Sequence, residues 1–122
     1  MAAKSEVWIG LVGVAPKPGN VLLKNASGAY VNVLAWANNA AKYRSKVRWA
    51  VKQVGFKLLS IKEVEPMSKR IVQHHLPVGI LRLTAQVKKD RRTSFDVFYT
   101  YSKGRNNSQS RTALKRRLKL RS

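Results

Sequence analysis

His74 and His75 are the only imidazoles in the chain, and its acids are Glu6, Glu63, Glu65, Asp90 and Asp96. Histidine beside Lys or Arg can move a proton and steady charge at a phosphate, so metal-free RNA cleavage is the reaction such an inventory would support. Adjacent residues on a helix point about 100 degrees apart, so both imidazoles rarely serve one site. The expectation is one histidine packed at a helix end and the other exposed. Glu63 and Glu65 alternate on a strand and could share a face. Two carboxylates there read more simply as counterions of nearby lysines than as a metal site. There is no cysteine, which excludes disulfides, thiolate zinc sites and cysteine nucleophiles. No P-loop, GxGxxG or HExxH is present. GLVGVAPKPG contains glycines but lacks the Lys-Ser/Thr that would hold a nucleotide phosphate. No catalytic residue, metal or cofactor is expected.

The basic residues carry the stronger signal. Twenty-five Lys and Arg face five acids, giving a net charge of +20 and a pI near 11.3. Such a surplus repels itself and weakens a compact state unless a polyanion relieves it. Nucleic acid is the leading partner, because its phosphates are dense and release counterions on binding. An anionic membrane surface comes second. The composition resembles that of ribosomal and other nucleoprotein subunits, a likeness shared by unrelated folds.

Three clusters hold much of the charge. The first is KYRSKVRWAVKQVG, Lys42 to Gly55. At helical spacing Ala40, Tyr43, Val47, Ala50, Val51 and Val54 gather on one side as a core face. Arg44, Arg48 and Lys52 follow one flank, Lys42 and Lys46 the other, and Trp49 lies between the rows. No acid sits on this helix to pair them, so it is not a salt-bridged solvent face. Trp49 among cations suits stacking on a base whose phosphates the cations hold. Cover by the C-terminal extension or a subunit, or cation–π contact with Arg48 or Lys52, is the plainer account of that one residue.

The second cluster is KKDRR, which reads as a hairpin tip presenting Lys88, Lys89, Arg91 and Arg92. The third is SRTALKRRLKLRS, with Arg111, Lys115, Arg116, Arg117, Lys119 and Arg121 around leucines at 114 and 118. It reads as a short helix that forms on phosphate binding. A disordered tail is the plainer reading, and its apolar face is meagre for a membrane-surface helix.

The elements that position these clusters follow from periodicity. Val7–Ala15 reads as a strand apolar on both faces, Val7, Ile9 and Leu11 opposite Trp8, Val12 and Val14. A short strand over Val21–Leu23 and a strand over Tyr30–Ala37 follow. Asn38 or Asn39 caps a helix that runs to Val54 and stops at Gly55. Phe56–Val64 is the next strand, Met67–Leu76 a short helix, and Ile80–Val87 with Thr93–Tyr101 a hairpin. The expected fold is α+β: a mostly antiparallel four- to five-stranded sheet, one main amphipathic helix on one face, a short second helix and a basic C-terminal extension. Residues 1–103 form the domain and 104–122 the extension. The strand–helix–strand unit would suit a ferredoxin-like arrangement, although no helix separates the first two strands.

No apolar run approaches the ~20 residues of a membrane span, and no signal-peptide pattern opens the chain. A soluble, cytoplasmic protein is expected. The functional expectation is a non-catalytic nucleic-acid-binding subunit of a nucleoprotein assembly, RNA or single strands favoured over duplex DNA. Tyr99 and Tyr101 are further candidates for stacking. The alternatives are a small basic ribonuclease toxin and an adaptor or inhibitor that docks on an acidic protein surface.

Overall fold

The computed structural model describes residues 4–19, 27–73, 75–101, 112–114 and 118–120, the last two segments as backbone. The strand expected at Val21–Leu23, His74, and the tail cations Arg111, Lys115, Arg116, Arg117 and Arg121 lie outside the described residues. The elements run β1 (Glu6–Pro16), β2 (Gly28–Ala37), α1 (Ala40–Gln53), β3 (Phe56–Pro66), α2 (Met67–Gln73), α3 (Val78–Asp90), β4 (Thr93–Tyr101), β5 (Thr112–Leu114) and β6 (Leu118–Leu120). The fold is α+β. Four long strands form an antiparallel sheet in the order β3-β1-β2-β4, and β5 and β6 both pair with the outer edge of β4. β1 and β2 are direct antiparallel neighbours, so the chain lacks the paired βαβ units of a ferredoxin-like arrangement.

β1 lies between β2 and β3, with α1 over one of its faces and α2 and α3 over part of the other, which is why its sequence is apolar on both. Val12 and Val14 meet Val31, Val33 and Ala35 of β2 and Phe95 and Phe98 of β4 in one core cluster, with Trp8 packed against it. α1 covers that face through Tyr43, Val47, Ala50 and Val51, the side its spacing foretold. The Asn39 side chain accepts from the Lys42 amide at 2.8 Å and so caps the helix start. Gly55, at φ 79°, follows its end.

The opposite face carries a second cluster, and here the expectation of a strand at Ile80–Val87 fails. These residues form α3, which with Met67 of α2 covers Val7, Ile9 and Leu34. Leu83, Ala85 and Val87 alternate as a strand would. Ile80, Leu83 and Val87 also fall at helical spacing, and those three are the buried ones. Leu81, Arg82, Ala85, Gln86, Lys88 and Lys89 are exposed, and most of these types are good helix formers. Pro77 stands just before α3, its fixed φ suited to a helix start.

Two expectations change with it. KKDRR is not a hairpin tip: Lys88, Lys89 and Asp90 finish α3, and Arg91 caps it in the left-handed region at φ 62°. Cations at a helix C-terminus are favoured by its dipole, which accounts for part of their density. The tail is not a helix where it is described. Leu114 stands opposite Phe98, Leu118 opposite Phe95 and Leu120 opposite Thr93.

Candidate nucleic-acid interface

α1 turns Lys42, Arg48, Trp49 and Lys52 to solvent, Trp49 with 42% of its surface exposed. The other two cations of the helix are partly committed to the sheet. The Arg44 guanidinium donates to the Ile61 carbonyl at 3.5 Å, and the Lys46 ammonium donates to the Trp36 carbonyl at 2.6 Å. Burial lowers the Lys46 pKa below its ordinary value, and the neighbouring charge of Lys42 adds to the effect. The outer face of α1 is thus a basic strip with an aromatic ring at its centre.

The end of α3 lies on the other side of the sheet. Lys88, Lys89 and Arg92 are exposed there. Arg91 sits 3.5 Å above the centre of the Trp36 ring and donates from Nε to the Lys88 carbonyl at 2.8 Å. Its first role is therefore to close the helix onto β2. The two clusters do not form one patch, but they meet at Trp36, whose ring carries Arg91 and whose carbonyl holds Lys46. An opening of about 250 Å³ beside it is lined by Ser5, Trp36, Ala37, Asn38, Lys42 and Lys46.

A third surface lies on the uncovered part of the sheet. α2 and α3 cover only the half of their face around Val7, Ile9 and Leu34. The other half is open. There Gly13 stands opposite Ser60 and Tyr30, Tyr30 opposite Tyr99, and Leu11 opposite Lys62 and Asn32. Leu11, Tyr30, Lys62, Tyr99 and Tyr101 line a cleft of about 680 Å³. Tyr30 and Tyr99 are 40% and 47% exposed. The rings of Tyr30 and Tyr101 stack at 5.5 Å with 27° between their planes. A β-carbon at Gly13 would come within 2.7 Å of the Ser60 hydroxyl and 3.3 Å of the Tyr30 ring, so the missing side chain lets that ring lie across the strand. Tyr99 and Tyr101 were stacking candidates from sequence; Tyr30, Leu11 and Lys62 were not. The signal was in YVNVLAWA, where one face runs Tyr30, Asn32, Leu34, Trp36 and changes from polar to apolar halfway.

Among the described residues no acid and no histidine lines either opening. Glu65 pairs with Arg70, which also donates to the Glu63 carbonyl at 2.8 Å. Glu63 has φ 54°, in the left-handed region, and its side chain is exposed. The two carboxylates thus have separate surroundings, and the counterion is an arginine rather than a lysine. Glu6 accepts from Ser68 at 2.7 Å, and His75 is exposed. Among the described residues no three of His, Asp and Glu come close enough to hold a metal ion, and no helix is long and apolar enough to cross a membrane. No protein-family model, curated protein or solved structure matches the chain.

Proposed function

We propose that this protein is a non-catalytic nucleic-acid-binding protein that works as a small basic subunit of a nucleoprotein assembly. The observation that carries the reading is the outer face of α1, where Lys42, Arg48 and Lys52 surround an exposed Trp49 on a helix without one acid. The net charge of +20 gives the whole surface the same preference. Lys88, Lys89 and Arg92 at the end of α3 add contacts on the other side of the sheet, and the basic stretch after Tyr101 adds further positive charge. The lack of cysteine fits a reducing compartment such as the cytoplasm.

The test is the affinity of nuclease-treated protein for single-stranded RNA, single-stranded DNA and duplex DNA of equal length across a salt series. A slope steeper than about −4 in log K against log salt is expected, the mark of several phosphates neutralised together. Reversing Lys42, Arg48 and Lys52 to Glu should weaken binding about tenfold or more and lower the slope by roughly 2–3. Unchanged affinity and slope in that variant would remove α1 as the interface.

A further inference from the structure

We infer that the open half of the sheet, floored by Tyr30, Tyr99 and Tyr101, is a second binding site that takes unpaired nucleobases, which makes single-stranded nucleic acid the substrate. The inference rests on the nucleic-acid reading above but concerns a different face: α1 covers one side of the sheet and the tyrosines occupy the other.

The geometry is that of a stacking floor. Tyr30 and Tyr99 are directly opposed on neighbouring strands, and Tyr101 is two residues further along β4 on the same face. Neighbouring strands stand about 4.8 Å apart, and alternate residues on one strand nearly 7 Å apart, so the three rings form one surface. Tyr101 and Tyr30 already stack on each other, while Tyr99 has almost half its area in solvent. Leu11 continues the apolar floor into β1. The cleft's volume of about 680 Å³ lies within the range of ligand sites.

The border chooses the ligand. Lys62 lines the cleft from the edge strand, and Lys57 lies in register with Ala15 further along that strand. No acid is among the lining residues. Asn32, in register with Leu11, offers both a donor and an acceptor at the margin, and the Ser60 hydroxyl lies at the other side of Gly13. Aromatic floor, amide, hydroxyl and ammonium match the face, edge and phosphate of an unpaired nucleotide. A paired base inside a duplex has no free face to offer these rings. Tyrosine is common in strands for reasons of packing alone. Packing does not account for two opposed tyrosines left 40% and 47% exposed beside a half-face where α2 and α3 bury Val7, Ile9 and Leu34.

The experiment uses the full chain with Tyr30→Leu and Tyr99→Leu combined, exposed positions where an apolar residue keeps the strands intact. Affinity is measured for a single-stranded RNA and its duplex across salt, with thermal unfolding as the control for folding. Single-strand affinity should fall about tenfold for each base that loses its ring, while duplex affinity and the salt slope stay as in the wild type. Photo-crosslinking of a 5-bromouracil RNA to the wild type should map to the peptides that carry Tyr30 and Tyr99–Tyr101. Wild-type single-strand affinity in the double variant, or crosslinks confined to α1, would overturn the site. If the Lys42, Arg48 and Lys52 reversal abolishes binding at the same time, the α1 reading survives and only the tyrosine site falls. Weak, salt-indifferent binding by the wild type itself overturns both.

Discussion

Tyr43 joins helix and sheet through a single phenol. The ring is fully buried in α1's core face, and its hydroxyl donates to the Val33 carbonyl at 2.7 Å. Burial pushes its pKa well above the ordinary value, and the charges of Arg70 and Arg44 offset only part of that. A raised folded pKa means that this group's contribution is complete below the unfolded value of about 10 and is lost as pH rises beyond it. Stability should therefore fall above that pH, by up to about 1.4 kcal/mol per pH unit from this group. Denaturation of Tyr43→Phe across the same pH range should lack that component, which separates it from the many lysines titrating nearby. At neutral pH the same substitution should cost about 1–2 kcal/mol through the lost hydrogen bond. Gly10→Ala should cost more, because its new methyl would stand 2.7 Å from that hydroxyl and the ring has no room to yield. The burial of Tyr43 was legible in the heptad-like spacing of α1. Its partner was not, since a backbone carbonyl ten residues away leaves no mark on residue type.

Among the elements, α1 was readable to within a residue because cap, periodicity and stop agreed: Asn39, the Tyr43–Val47–Ala50–Val51 stripe, and Gly55. Asn39→Ala should destabilise the protein by about 1 kcal/mol in a denaturant titration, since it removes the acceptor of the Lys42 amide. α3 was misread because Ile80–Val87 satisfied two periods at once and the deciding fact, a sheet face awaiting cover, lies outside the segment. Ala85 can report which period is right. It is exposed, so Ala85→Val should destabilise by about 0.5 kcal/mol on a helix, whereas a strand would gain from the β-branch. A gain in stability would contradict α3. The same misreading turned a helix end into a hairpin tip and so missed that Arg91, though exposed, lies over Trp36.

For the whole molecule, local patterns foretold an antiparallel sheet with a helix across it. They did not foretell the order β3-β1-β2-β4, because nothing in a strand's own alternation names its neighbour. The half-open face follows from that order and from the length of α3, which is why the tyrosine cleft could not be assembled from the sequence. The order also leaves β4 at an edge, where β5 and β6 pair with it. A chain ending at residue 103 should expose that edge. Sedimentation at rising concentration should then show self-association that the full chain does not. A monomeric shortened chain would mean that the β4 edge needs no such cover.

That order also sets a sequence in time. β3, β1, β2 and α1 are all present once the chain reaches Pro66, while β4 arrives only at Tyr101. At roughly 5–20 residues per second, the intervening stretch takes several seconds to synthesise. Through that interval the edge of β2 that β4 will fill, Gly28 to Leu34, has no partner. Nascent chains on neighbouring ribosomes could pair through it. Lysine and arginine already outnumber the acids ten to three in residues 1–66, and that positive charge repels a second copy of the same chain. The surplus of lysine and arginine thus keeps nascent copies apart while the sheet is unfinished.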